Sequence, residues 1–152
     1  MNFVINLSAF AGAFIFMEGF AWFMHKYVMH GIGWFLHKSH HEPRKGKFEL
    51  NDLYAFIFAI PAFILMLIGS PEYNYLFWMG TGITAYGICY FVFHDVIVHR
   101  RLKYNRKLSG KYMQRIIRAH KIHHKKMSKK NGQAFGFLFA HPKFDMKKTN
   151  EL

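Results

Sequence analysis

The sequence predicts an all-α integral membrane protein, a helical bundle with a helical cap on its cytoplasmic side. Two observations predict this class. The 152-residue chain is 52% hydrophobic yet carries a formal charge of +13, so its mean hydropathy of +0.00 averages an apolar population and a basic one. These populations also occupy different stretches, with the apolar residues gathered into three long runs. The composition excludes a disordered chain, and the single cysteine excludes a disulfide scaffold.

The three apolar runs have the length of membrane-spanning helices. They cover residues 3–24, 53–69 and 75–98. About 20 apolar residues cross the hydrocarbon core of a bilayer, so the first and third runs span it easily and the second lies at the short limit. A secretory signal peptide is the alternative for the first run, but no cation precedes it and no small-residue cleavage site ends it.

All lysines and arginines lie outside these runs. Five lie between residues 25 and 52, and sixteen lie between residue 99 and the C-terminus. The positive-inside rule therefore places segments 25–52 and 99–152 on the cytoplasmic side of the inner membrane, with the N-terminus and the 70–74 turn outside. The charge is consistent with contacts to anionic lipid or to an acidic redox partner, and no motif supports nucleic acid. The whole chain, 1–152, is expected to be one domain.

The basic C-terminal segment contains elements of its own. Its pattern predicts a helix over about 110–126, with Ile116 and Ala119 on the apolar side. A polar break follows over 125–131. A short apolar segment over 134–140 is expected to reach the membrane interface.

Ten of the eleven histidines fall into four clusters with repeated spacing. Two clusters are H-x4-H pairs, each at the cytoplasmic end of a membrane run, and two are H-x2-H-H triplets in the cytoplasmic segments. All ten can therefore meet on one side of the membrane, in the helical cap. In chain order the clusters are His25 and His30; His37, His40 and His41; His94 and His99; and His120, His123 and His124. His141 belongs to none of them and is expected on the surface.

The spacings favour a site for two metal ions. Residues i, i+3 and i+4 of an α-helix share a face, so each triplet can converge. Residues i and i+5 lie about 140° apart around an α-helix. The two histidines of a pair are therefore expected to serve different ions, unless one of them lies where the helix ends. Imidazole ligands suit iron, zinc, copper and nickel.

Few carboxylates lie close to these clusters. Glu18, Glu42 and Asp95 are candidates to orient a ligating histidine through its second ring nitrogen. Glu18 lies inside a membrane run, where charged groups are costly and usually functional. Asp52 is a further carboxylate near the clusters. For this residue, a role as the cap of the second membrane helix is as good an interpretation as a role beside a histidine.

The chain resembles the bacterial β-carotene hydroxylase family from the first span to about residue 139. The four histidine clusters by themselves indicate the wider fatty acid hydroxylase and sterol desaturase superfamily. The stretches SHHEPRKG and NDLYA narrow the resemblance to the carotenoid branch. The resemblance is carried by HKYVMHGIGWFLHKSHHEPRKGKFELNDLYA, TAYGICYFVFHDVIVHRR, RAHKIHHKK and AFGFLF.

The resemblance implies a non-haem di-iron monooxygenase that hydroxylates carbon 3 of the β-ionone ring. β-Carotene would give zeaxanthin by way of β-cryptoxanthin, and the ketolated canthaxanthin would give astaxanthin. The ten clustered histidines would ligate two iron ions, or zinc in their place, with O2 as co-substrate and no catalytic residue beyond the ligands. Electrons would come from a ferredoxin and its reductase, and Arg44 and Lys45 are expected to help dock the acidic ferredoxin.

Three other functions remain open. The nearest is another hydroxylase or desaturase of the same superfamily, acting on fatty acyl chains or sterols. A membrane metal transporter would hold its ligands near the midplane of the bilayer, where only Glu18 and the span-end residues His94 and Asp95 come close. A haem electron carrier would need histidines paired across helices at one depth, rather than adjacent doublets.

Overall fold

A computed structural model describes residues 3–43, 46–102 and 110–145, and in these residues the chain is helical without any strand. Two of its α-helices continue directly into π-helical segments, which we call the first and second π segments. The elements in order are α1 (Phe3–Phe23), the first π segment (Met24–Ile32), α2 (Trp34–His41), a 3-10 turn (Leu50–Leu53), α3 (Tyr54–Gly69), α4 (Tyr75–Tyr90), the second π segment (Phe91–Val98), α5 (Lys111–His124) and a 3-10 turn (Pro142–Phe144).

The three predicted spans are present. The continuous helices Phe3–Ile32, Leu50–Gly69 and Tyr75–Val98 are each long and apolar enough to cross a membrane. Large apolar side chains such as Phe16 and Phe63 remain 65% exposed, as expected where lipid rather than protein covers them. The protein is therefore an all-helical integral membrane protein. The helix that contains the first apolar run continues beyond residue 24 into the first π segment, which is kinked at Gly31.

Helix α4 is the centre of the bundle and packs against both α1 and α3 through glycines. A Cβ atom at Gly80 would lie 2.6 Å from the carbonyl oxygen of Ala62 in α3. A Cβ atom at Gly82 would lie 2.4 Å from the carbonyl oxygen of Phe10 in α1. Close backbone approach at small residues is the usual way membrane helices associate.

Different elements meet at the two ends of the bundle. At one end, the Asn6 side chain donates to the carbonyl of Tyr73 at 3.4 Å, so the start of α1 lies beside the turn between α3 and α4. At the other end, α1 and α4 run into their π segments and meet α2 and α5. All four histidine clusters lie at this second end.

Helix α5 and the tail cover the histidine end. α5 lies within the predicted range of 110–126, and the apolar segment 134–140 packs beside it. Their buried side chains form a small core, which consists of Ile116, Ala119, Phe137, Ala140 and Phe144.

Candidate metal centre

Eight of the clustered histidines form two groups of four. Within each group, one ring nitrogen of every histidine lies within 4.8 Å of the others. Each group combines both members of an H-x4-H pair with one histidine from α2 and one from α5. The first centre consists of His25, His30, His37 and His123, and the second centre consists of His40, His94, His99 and His120.

The π segments explain why both members of a pair reach the same centre. A π-helix bonds the N–H of residue i+5 to the carbonyl of residue i, which brings side chains five residues apart over one another. The N–H of His99 donates to the carbonyl of His94 at 2.9 Å, and Gly33 donates to Val28 at 2.8 Å. The expectation allowed for a histidine at a helix end, and the structure has this arrangement: His99 directly follows the second π segment, and His30 directly precedes the kink at Gly31.

The other two clustered histidines lie where the centres meet. The Nε2 atom of His41 is 3.2 Å from the Nε2 atom of His37 in the first centre. The His124 ring lies 4.6 Å from that of His40 in the second centre, and the His41 and His124 rings stack at 4.6 Å. The Nε2 atom of His124 is buried and has no hydrogen-bond partner within the described part of the chain. All ten predicted histidines are thus brought together.

His141 lies apart from this assembly. It is exposed, and its Nδ1 atom accepts a hydrogen bond from the backbone N–H of Lys143 at 3.1 Å. It begins the last 3-10 turn and has the surface position that the sequence predicted.

Hydrogen bonds at the outer ring nitrogens determine which nitrogen faces the first centre. The Nδ1 atoms of His25, His30 and His123 each face a backbone carbonyl, which can only accept, so Nδ1 carries the proton in each ring. Asn51 Oδ1 accepts from His37 in the same way at 2.7 Å. The three carbonyls are those of Phe135 at 3.0 Å, Lys129 at 3.2 Å and Gln133 at 2.8 Å.

Carboxylates take the place of the carbonyls in the second centre. The Nδ1 atom of His40 donates to Glu49 Oε2 at 2.8 Å, and the Nδ1 atom of His94 donates to Asp95 Oδ2 at 3.2 Å. The inward-facing Nε2 atoms of His40 and His94 therefore carry unprotonated lone pairs, as do those of the four histidines of the first centre.

These lone pairs face one another at the separation expected for two ligands of one cation. The Nε2 atoms of His25 and His123 are 3.0 Å apart, and those of His40 and His94 are also 3.0 Å apart. Two imidazole nitrogens bound at right angles to one ion, with metal–nitrogen bonds of about 2.1 Å, would be separated by about 3.0 Å. The residues present therefore fit metal ions, and the arrangement indicates a metal site.

Burial keeps the imidazoles in the form that binds metal. It is the largest cause in each case and lowers the pKa of His37 to about 2, the pKa of His99 and His123 to about 3, and the pKa of His41 to about 4. Neighbouring histidines lower these pKa values further. Metal ligation requires neutral imidazole, so the protein supplies ligands that need not lose a proton at neutral pH.

Of the three carboxylates that the sequence singled out, Asp95 contacts a clustered histidine. Glu42 lies at the end of α2, is exposed, and forms an ion pair with Lys38 at 3.3 Å. It does not orient a histidine, because the helix carries its side chain away from the centres.

Glu18 also contacts no clustered histidine, and it acts on the tail instead. Its carboxylate accepts backbone N–H bonds from Phe137 at 2.9 Å, Leu138 at 3.1 Å and Phe139 at 2.9 Å, and a hydroxyl hydrogen bond from Tyr86 at 2.8 Å. Glu18 thereby fixes the tail segment whose Phe135 carbonyl orients His25.

Sequence reasoning missed three residues that support the histidines. Glu49 and Asn51 bond to His40 and His37 from the 3-10 turn before α3. Arg101 pairs with Glu49 at 3.0 Å, with Asp52 at 2.8 Å and with Asp95 at 2.8 Å. The pattern Glu49-x-x-Asp52 is the available signal, because Asp52 accepts from the Glu49 N–H at 2.9 Å and caps the turn that begins the second span. Arg44 and Lys45, the predicted docking residues, lie outside the described residues.

An apolar cavity of about 1050 Å³ leads from between the membrane helices to both centres. On the α1 side, Ala21 and His25 line it at a spacing of four residues. On the α4 side, Tyr90 and His94 line it at the same spacing. The cavity therefore touches one histidine of each centre, while its α3 wall is almost entirely apolar and consists of Tyr54, Ala55, Phe58, Ala59, Ala62, Phe63 and Met66.

A model of the fatty acid hydroxylase family matches residues 10–145. The chain belongs to the fatty acid hydroxylase family. This family member is 46% identical to the beta-carotene hydroxylase of Pantoea ananas over 83% of its own length and 72% of the relative. It is 44% identical to the beta-carotene hydroxylase of Pseudescherichia vulneris, over 87% of its own length and 75% of the relative. Its identity to the protein of that name from Paracoccus sp. (strain PC1) is 38%, over 90% of its own length and 87% of the relative. No solved structure matches it.

Proposed function

We propose that this protein is a carotenoid β-ring 3-hydroxylase that uses O2. The observation that carries the proposal is the meeting of two histidine centres with an apolar cavity formed by membrane helices. The names of the most similar relatives supply the substrate class. β-Carotene would be converted to zeaxanthin by way of β-cryptoxanthin, with one hydroxyl group added to each ring.

The reaction needs a metal, an oxidant and electrons. For each hydroxylation, one atom of O2 enters a ring C–H bond and the other leaves as water, which consumes two electrons and two protons. Two iron ions held by the ten clustered histidines would supply the activation of O2. A ferredoxin and its reductase are the proposed electron donors.

The tasks of the protein's own residues follow from their positions. The inward-facing Nε2 atoms would hold the ions, and the outer hydrogen bonds restrain the rings that make them from turning. His94 and His123 are almost fully buried, which excludes water from the centres. A β-ionone ring entering the cavity from the lipid would lie between Ala21 and Tyr90, next to His25 and His94.

Ketolated rings are a further proposed substrate. The histidine end of the cavity is also lined by the polar side chains of Asn51, Asp52 and Arg101. The Asn51 amide and the Arg101 guanidinium group supply N–H donors for a ring ketone, so canthaxanthin is expected to enter and leave as astaxanthin.

The histidine end is proposed to face the cytoplasm, because the lysines and arginines lie in segments 25–52 and 99–152, which also carry the histidine clusters outside the membrane runs. A topology test is straightforward, since Cys89 is the single cysteine. In a Cys89→Ser background, Glu72→Cys should react with a membrane-impermeant maleimide added to spheroplasts. Ser128→Cys should react only after permeabilisation. Labelling in the opposite order would reverse the proposed orientation.

The function is tested by expressing the chain in a host that accumulates β-carotene and separating the products by chromatography. The wild type should form 3-hydroxylated carotenoid. His37→Ala and His123→Ala should lower the yield at least a hundredfold, whereas the matched control His141→Ala should retain it. Full activity in both ligand variants would overturn the metal assignment. Hydroxylated fatty acyl or sterol products without hydroxylated carotenoid would assign the chain to another substrate class.

A further inference from the structure

The two centres differ in the charge of the groups that hold their histidines. In the first centre, the acceptors opposite His25, His30 and His123 are backbone carbonyls, and His37 faces the neutral side chain of Asn51. In the second centre, His40 and His94 face the carboxylates of Glu49 and Asp95. The two centres therefore contain similar sets of four histidines, but the groups that accept hydrogen bonds from these histidines differ in charge.

Arg101 holds the two carboxylates in place. Its guanidinium group lies 3.0 Å from Glu49 and 2.8 Å from Asp95, and both carboxylates are close to 10% exposed. Asp52 pairs with the same guanidinium group at 2.8 Å. Arg101 thus connects the turn before α3 to the second π segment, and it keeps both carboxylates directed at the imidazoles.

A carboxylate behind an imidazole changes the ring as a ligand. It pulls on the Nδ1 proton more strongly than an amide or peptide oxygen does, and so makes the opposite Nε2 atom a stronger donor. The negative charge also attracts a cation in a poorly solvated site. Both effects act on the second centre and are weaker at the first.

We propose that the second centre binds its metal ion more tightly than the first, so that it fills first and empties last. This inference rests on the proposed function, which requires metal in both centres. Arg101, Glu49 and Asp95 are positioning residues in this proposal, since they act through His40 and His94. The two ions would consequently be chemically inequivalent despite their matching histidine ligands.

The test is a titration of the metal-free full-length protein in detergent micelles with Co²⁺, followed by visible absorbance and by competition with a chelator. The wild type should bind two ions with dissociation constants that differ at least tenfold. His120→Ala should remove the tight phase and His123→Ala the weak one. Asp95→Asn and Glu49→Gln should each weaken the tight phase 10- to 100-fold while leaving the weak phase unchanged.

The reciprocal variant adds a carboxylate to the first centre and does not depend on the folding of the others. Asn51→Asp should strengthen the weak phase and bring the two constants together. Equal constants in the wild type would overturn the proposal, as would loss of the tight phase in His123→Ala. Binding of no Co²⁺ by the wild type would instead overturn the proposed metal function itself.

Discussion

At the residue scale, the proton positions on the histidines determine what the site can do. A carbonyl or carboxylate opposite Nδ1 fixes the proton there and leaves Nε2 free to bind metal. Sequence spacing identified the ten histidines, but it could not show these acceptors. Three of the acceptors are backbone carbonyls, to which no side-chain pattern points, and Glu49 lies eight positions beyond the nearest histidine in the chain. Glu18 and Glu42 are close to the histidines in sequence, whereas helix direction carries both side chains away from them.

The lowered histidine pKa values predict that the metal-free protein loses stability in mild acid. Each such histidine has a pKa near 6.5 when unfolded and about 2 to 4 when folded. Below pH 6.5 the unfolded chain therefore binds more protons than the folded one. The free energy of unfolding should fall by about 1 kcal/mol per pH unit for each of these histidines as the pH decreases toward 4.

The measurement is thermal unfolding of the metal-free protein in micelles between pH 8 and pH 5. The melting temperature should be flat above pH 7 and fall steeply below pH 6.5. His123→Phe should make the slope shallower, while His141→Ala should leave it unchanged. A melting temperature independent of pH would contradict the buried, neutral state of the rings.

At the element scale, two short π-helical segments bring the two histidines of each H-x4-H pair together. On an α-helix the same spacing would direct the two side chains to different faces. Sequence patterns predicted the helices and approximately where they begin, but not that their ends are π-helical. The i, i+5 spacing brings two side chains together on a π-helix but not on an α-helix. The sequence therefore contained the spacing, but it did not show which type of helix forms. The bend that directs the pair and the triplet to the same centre lies at Gly31, whose backbone angles (φ −107°, ψ −120°) are not helical.

Gly33 lies two residues after this kink, and a single methyl group there should disrupt the contact between this connection and α3. A Cβ atom there would lie 1.8 Å from the Tyr54 hydroxyl oxygen, which donates to the Gly33 carbonyl at 2.8 Å. Gly33→Ala should therefore destabilise the protein by about 1 to 3 kcal/mol and reduce metal content, since His30 and His37 flank the bend. Thermal unfolding and metal analysis check this.

Two variants test the cause of that effect. Gly19→Ala is the matched control, because Gly19 lies within helix α1 and nothing lies within 4 Å of a Cβ atom there. Gly33→Ala combined with Tyr54→Phe should recover part of the lost stability, since the clashing oxygen is removed. No recovery in the double variant would assign the loss to the backbone rather than to the clash.

At the scale of the whole molecule, the bundle is arranged so that a membrane-dissolved substrate can reach buried metal ligands. α4 packs closely against both α1 and α3 at the glycines, and the cavity occupies the space where these helices separate toward the histidine end. Phe20 of α1 and Phe58 of α3 contact edge to face at 5.9 Å beside this space. Apolar runs and charge distribution predicted the spans, but neither indicates where helices separate.

Filling the cavity should block substrate and leave the metal centres intact. Ala21 lies one helical turn before His25 and faces the cavity. Ala21→Phe is therefore expected to lower carotenoid hydroxylation at least tenfold without changing the metal content of the purified protein. Product chromatography and metal analysis of the same preparation check this. Gly12→Ala, a substitution into open space in the same helix, is the control and should retain activity. Normal hydroxylation by the Ala21→Phe variant would show that the ring reaches the centres by another route.

The sequence by itself determined the helical class, the three spans, the ten clustered histidines and the resemblance that led to the substrate. These features are visible in the lengths of the apolar runs, the positions of the charged residues and the spacing of the histidines, so they can be recognised without coordinates. Only the tertiary structure decided the division into two centres, the neutral support of one and the anionic support of the other, and the cavity that joins them to the lipid. Those features depend on which carbonyls and carboxylates distant segments bring beside each ring, and local sequence does not encode that proximity.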